Sequence, residues 1–168
     1  MAAKSTLKFP ITSSDANIST CGRYRYWLRR GWDNPAALPS EVCFIMLNPS
    51  TADASRDDPT IRRCIRFAQE WGYSCLSVRN LFSLRATNPA ELLRAPDPIG
   101  PRGVTALKDC DYADLVVAAW GAKPPLDRDK AVLTLLGGIP LFCLGKTKEG
   151  YPRHPLYVRA DQPLLPYP

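Results

Sequence analysis

Four near-continuous apolar runs recur along the chain, at residues 42–47 (VCFIML), 75–81 (CLSVRNL), 115–120 (LVVAAW) and 139–144 (IPLFCL). Continuous hydrophobicity, rather than strict alternation, marks strands covered on both faces, as in a parallel sheet. Helical patterns lie between the runs. Asp58-Pro59 reads as an N-cap followed by proline at the first helical position. Ile61, Ile65 and Ala68 then fall on one face, Arg62, Arg63 and Arg66 on the other, and Gly72 stops the turn. Asn88-Pro89-Ala90-Glu91 repeats the design, with Glu91 placed to complete a capping box. A third helix is expected within 103–112 and a fourth over 127–136, stopped by Gly137. Upstream, CGRYRYWLRRGW at 21–32 alternates aromatic residues with arginines, which predicts a strand with one apolar and one basic face. Residues 1–20, rich in Ser, Thr and Ala and without periodicity, are expected to form a flexible N-terminal arm or an edge segment.

Strand and helix thus alternate over residues 21–168, which predicts a single α/β domain. Its architecture would be a three-layer sandwich with a central, mostly parallel four-stranded sheet and an added N-terminal edge segment. A chain of 168 residues suits one core.

Composition narrows the partners. A net charge of +6 fits a phosphate-rich partner, nucleic acid or nucleotide with DNA foremost, and equally fits a soluble protein with a basic bias. Six cysteines at 21, 43, 64, 75, 110 and 143 form no C-x-x-C pair, so neither a zinc ribbon nor a redox motif is indicated. Reduced cysteines in apolar runs suit the cytoplasm. No leader-like segment opens the sequence and no apolar run reaches the ~18 residues of a spanning helix, so no membrane partner is expected. There is no G-x-G-x-x-G and no Walker loop, and no cofactor is expected.

In such sheets ligands gather beyond the carboxyl ends of the strands. Four segments lie there: Asn48-Pro49-Ser50-Thr51, Asn80 with Phe82 and the following S-L-R-A-T, Trp120-Gly121 with Lys123, and the G-K-T-K-E-G-Y-P-R-H-P-L-Y stretch with Arg153, His154 and Tyr157. The first is also an ordinary turn composition. Asn80 could read a nucleobase edge or hydrogen-bond a loop. Trp120-Gly121 could anchor the core and stop its strand. His154, the lone histidine, stands in a proline-stiffened loop, either as a surface residue or as a functional one. Asp53 and Asp57 could serve a metal-dependent nucleotide hydrolase, although Asp58 already has its capping role.

The chain resembles the bacterial and phage family known as domain of unknown function 1643. The resemblance rests on YRYWLRRGWD, FIMLNPSTAD, DDPTIRRC, NLFSLRATNP, AAWGA and RHPLY. More distantly, it resembles the uracil-DNA glycosylase superfamily in the order of four short motifs: Asn48-Pro49, Asn80, Trp120-Gly121 and His154-Pro155. That resemblance implies a glycosylase-like enzyme acting on the N-glycosidic bond of a pyrimidine, 5-modified ones included, in DNA or a nucleotide. Asn48 would orient the attacking water, Asn80 read the flipped base, and His154 donate to the pyrimidine O2. Phe82 or Phe44 would stack on the base.

Three departures stand out. Ser50 replaces the bulky tyrosine of the uracil-selective branch, Met46-Leu47 replaces a glycine-containing turn, and H-P-L-Y lacks the serine of the usual His-Pro loop. A non-catalytic nucleic-acid or nucleotide-binding module of the same fold is the alternative, motivated by Asn48 where an acid would otherwise stand.

Overall fold

The computed structural model describes residues 7–168. The four apolar runs form β3 (Glu41–Met46), β4 (Cys75–Asn80), β5 (Leu115–Ala118) and β6 (Leu141–Cys143). Their mutual pairings, β3 with β4, β3 with β5 and β5 with β6, are all parallel. The sheet itself is larger than the four strands expected and is mixed. β1 (Ile11–Ile18) and β2 (Arg25–Trp32) join antiparallel on one side and β7 (Leu165–Tyr167) on the other, giving the order β1-β2-β4-β3-β5-β6-β7.

The expected N-terminal arm or edge segment is an edge strand with two register shifts in its pairing. It falls inside the stretch 1–20, where polar composition hid it: backbone pairing with β2 holds it, and of its side chains Ile11 and Ala16 pack on the core. Residues 1–6 of that stretch lie outside the described residues.

Helices cover both faces of the sheet. α1 (Pro59–Glu70) follows the sequence signals closely: Asp58 accepts from the Ile61 N–H at 2.8 Å, and Ile61, Ile65 and Ala68 pack onto Val42, Phe44, Leu76, Val78 and Val117. On the opposite face, α2 (Glu91–Arg94), α3 (Gly103–Lys108) and α4 (Arg128–Leu135) bring Leu92, Leu107 and Val132 against Cys43, Ile45, Val116 and Cys143. No helix among the described residues is long and apolar enough to cross a membrane.

β2 differs most from its reading. The expected basic face is not a solvent face, because Arg25 and Arg30 are only 2% and 1% exposed. Burying a guanidinium is costly unless its donors are met. Arg30 meets its donors with Asp57 Oδ1 (2.9 Å) and with the carbonyls of Arg29 (2.8 Å), Asp53 (2.6 Å), Asp15 (3.3 Å) and Arg56 (3.3 Å). It thereby ties β1 and the β3–α1 connection to β2.

All six cysteines are free thiols, and burial pushes Cys43 up to about 11 and Cys110 up to about 12. Cys21 is exposed, and the Ser19 hydroxyl lowers its pKa. A thiol titration of the native protein at pH 8 should therefore show one fast-reacting group, lost in Cys21→Ser, with the buried thiols reacting only on unfolding. Arg30→Ala should lower the unfolding free energy by about 3 kcal/mol in urea melts, because it strands Asp57 and several carbonyls together.

Candidate functional site

The β3–α1 connection, the segment after β4, the turn after β5 and the loop after β6 enclose a cavity of about 240 Å³ at the carboxyl edge of the sheet, on the α1 side. Asn48, Ser50, Asn80, Trp120 and His154 all line it. Four strand ends read separately from the sequence thus converge on one pocket. Arg25 closes it from β2, and Asp58, Thr60 and Ile61 from the start of α1.

The loops around the cavity are tied to one another. Asn48 Nδ2 donates to the carbonyls of Pro49 (2.9 Å) and Ala86 (2.8 Å), while the Ala86 N–H donates back to the Pro49 carbonyl (2.9 Å). Both amide hydrogens of Asn48 are spent in this way. Its Oδ1 is left as an acceptor in a fixed orientation, suited to a water or a hydroxyl.

Asn80, 3% exposed at the end of β4, shows the opposite polarity. Its Oδ1 accepts from Arg25 Nη2 at 3.3 Å, and its Nδ2 has no partner within the protein. Arg25 also donates from Nη1 to the Ala52 carbonyl at 3.0 Å. Burial lowers the Arg25 pKa to about 10, with Asp58 opposing, so the guanidinium remains charged at neutral pH. Unpaired donors in a buried position carry a desolvation cost that a ligand acceptor would remove. Trp120 Nε1 is a further such donor.

His154 arrives on a loop braced from two directions. The Gly121 N–H donates to the Pro152 carbonyl at 2.9 Å, and Arg63 of α1 donates to the carbonyls of Pro155 (3.2 Å) and Val158 (2.7 Å). Gly121 has φ +95°, a left-handed backbone that glycine adopts without strain, and the turn lies directly against His154. His154 Nδ1 accepts from the Leu156 N–H at 3.2 Å. With Nδ1 acting as acceptor, the proton of the neutral ring sits on Nε2, which becomes a donor. Burial lowers the His154 pKa, partly offset by Asp58, and this favours that neutral form.

The sequence of residues 25–156 matches the family model described as protein of unknown function, DUF1643. This chain belongs to that family. No curated protein and no solved structure matches it. The DUF1643 match opens at Arg25 and runs through Leu156, so it contains every residue that lines the pocket. The edge strands β1 and β7 lie outside it.

Other residues singled out from the DUF1643 sequence fall elsewhere. Phe44 lies one pleat below Met46 on the same face and is fully buried, stacked on Trp71 with ring centroids 5.8 Å apart. Phe82 is fully buried in the opposite core. Neither lines the cavity, so neither can stack on a base held there. Pro49 is buried and serves through its carbonyl. Thr51 faces a neighbouring cleft. Lys123 points to Asp127 on the surface at 3.3 Å, away from the cavity. Arg153 donates to the Lys146 carbonyl at 3.1 Å and braces the His154 loop. Tyr157 is largely exposed, with its ring centroid 5.5 Å from that of His154.

Trp120 fills both roles considered for it: it lines the cavity, and it packs edge-on against Tyr167 at 5.5 Å. The proposed acidic pair is spent on structure. Asp57 pairs with Arg30, while Asp53 Oδ1 accepts from Ser55 and Arg56 backbone N–H groups at 2.9 and 2.8 Å. Among the described residues no three His, Cys, Asp or Glu side chains are grouped to hold a metal ion.

Arg25, Asp58 and Thr60 were not foreseen as pocket residues, whereas Thr87 closes the S-L-R-A-T stretch expected at this edge. For Arg25 a signal existed, an arginine set among aromatic residues in a strand with no acid beside it.

The lowered His154 pKa has a defined sign. Folding disfavours the charged ring, so its contribution to stability is complete above the ordinary value of about 6.5 and is lost as pH falls through the lower folded value. His154→Asn keeps a capping acceptor for Leu156 and removes the titration. The melting-temperature difference between wild type and this variant should accordingly change between pH 7.5 and pH 5, in the direction of a relatively weaker wild type in acid.

Proposed function

We propose that this protein is a glycosylase-like hydrolase that cleaves the N-glycosidic bond of a pyrimidine in DNA or a nucleotide, with 5-substituted pyrimidines admitted. One observation carries the reading: Asn48, Asn80 and His154 line one cavity, each presenting the hydrogen-bonding polarity its role needs. The resemblance in motif order to the uracil-DNA glycosylase superfamily supports it. The cavity is smaller than the ~300 Å³ at which pockets for drug-sized ligands begin, which suits a single ring and not a whole nucleotide.

Cleavage of the C1′–N1 bond leaves its electron pair on the pyrimidine, delocalised to O2, and positive charge on the sugar. The neutral His154 Nε2–H would donate to that O2, a fixed donor aimed where charge develops. Asn80 Nδ2 would hold a carbonyl or ring nitrogen of the base edge. A water accepted by Asn48 Oδ1 would add its oxygen to C1′, and its released proton balances the charge left on the base. Asn48 is an amide and cannot take up a proton, and Asp58, the one carboxylate lining the cavity, has its Oδ1 committed to the Ile61 N–H. Orientation, and not deprotonation in advance, would therefore be the contribution of Asn48. Ser50 leaves room where a tyrosine would exclude a 5-methyl group.

The amide of Asn48, standing where an acid would take the water's proton, favours the second reading, a binding module that kept the pocket without turnover.

Oligonucleotides carrying uracil, thymine or 5-hydroxymethyluracil, single-stranded and mispaired in duplex, decide between them. Abasic sites should form on at least one, with His154→Ala and Asn48→Ala each lowering the rate roughly 10²–10³-fold. Base-dependent binding without abasic sites would establish the module instead, and neither binding nor cleavage would sink both.

A further inference from the structure

Beside the base-sized cavity lies a larger open cleft of about 740 Å³. Four arginines from four different segments line it: Arg23 from the β1–β2 turn, Arg56 from the β3–α1 connection, Arg85 from the segment after β4, and Arg94 from α2. Ser50, Ala86 and Thr87 line both the cleft and the cavity, so the two are continuous. Nothing in the sequence reading assigned these arginines a role.

None of these arginines is held in an ion pair, although Arg23 lies over the Tyr24 ring at 6.0 Å. Among the described residues the ion pairs engage Arg29, Arg30, Lys123, Lys130 and Arg159, and none of the four. The two carboxylates of the cleft form no ion pair with them and leave two positive charges in excess. Asp53 Oδ1 is committed to Ser55 and Arg56 backbone N–H groups, and Glu91 Oε1 accepts from the Asn88 N–H at 3.4 Å. Arg85 anchors itself through Nη1 to the Gly22 carbonyl at 3.3 Å and has a buried Nε without a partner. Four guanidiniums convergent on one concave surface, with an orphaned donor among them, require acceptors from outside, and planar forks match phosphoryl oxygens best.

We infer that this arginine cleft binds the phosphate groups of the ligand whose base enters the adjoining cavity. Bases and phosphates are joined through a sugar, and the shared wall at Ser50 and Thr87 is where that sugar would sit. The inference rests on the nucleobase reading of the cavity, but it concerns binding and requires no bond to break.

The test uses the exposed members, Arg56→Gln and Arg94→Gln together, with Arg159→Gln as a control that carries a surface pair. The probe is a fluorescein-labelled single-stranded thymidine oligonucleotide of roughly 10 nucleotides, followed by anisotropy across a salt series. The double variant should bind at least roughly tenfold more weakly and lose about 1.4 from the slope of log K against log salt, ~0.7 per charge on a single strand, while the control stays at wild type. Unchanged affinity and slope in the double variant would overturn the cleft assignment. Competition with thymidine triphosphate separates the two sources of phosphate: arginine-dependent displacement points to a free nucleotide, and its failure to displace points to a strand. Arginine-dependent binding without any abasic product leaves the cleft standing and removes only the glycosylase reading. Abasic product that is indifferent to the arginines does the reverse.

Discussion

Two buried guanidiniums on one antiparallel strand hold the site together. Arg30 and Arg25 reach from β2 to the β3–α1 connection and donate to the carbonyls of Ala52, Asp53 and Arg56 and to the Asp57 carboxylate. A loop of that kind, rich in Ser, Asp and Ala, has no apolar side chains sufficient to fix it, and ordering each residue costs roughly 1–2 kcal/mol of backbone entropy. The arginines replace a hydrophobic anchor with a set of charge-assisted hydrogen bonds to the backbone. Asn48 and Ser50 at one end of this loop and Asp58 at the other then have defined positions.

The polarity of the cavity follows from the same arrangement. Arg25 occupies the carbonyl of Asn80 and turns its amide hydrogens outward, the peptide of Leu156 occupies Nδ1 of His154, and two carbonyls occupy the amide of Asn48. Three side chains that could each donate or accept are thus committed to one sense apiece. Among these three the result is two donors, Asn80 and His154, facing one fixed acceptor, Asn48, and a neutral histidine serves such a site better than a charged one, since a positive ring would lose its Leu156 contact.

The parallel part of the sheet could be read from the sequence because four apolar runs can be covered on both faces in few ways, and α1 because capping residue, proline and periodicity agreed. The strand-end rule then brought Asn48, Asn80, Trp120 and His154 to one edge without reference to their partners. What could not be read was β1, held by backbone pairing with Ile11 and Ala16 packed on the core, and the burial of the β2 arginines, which in an alternating pattern ordinarily mean solvent. Phe44 and Phe82 misled because an aromatic residue near a strand end says nothing of which pleat it occupies. The arginine cleft gathers side chains from positions 23 to 94, a clustering that no local pattern encodes.

The edge-on packing of Trp120 against Tyr167 joins the pocket wall to β7, which pairs with β6 at the far side of the sheet. From Arg25 to His154 the pocket already draws on nearly the whole chain, and this contact extends the dependence to a residue made still later. During synthesis from the ribosome, then, the lining is complete only once His154 has emerged, and its Trp120 wall gains this buttress only with Tyr167. The partners of the buried β2 arginines, at positions 15 to 80, are made earlier than any of these, so the guanidiniums can be paired before the pocket is complete.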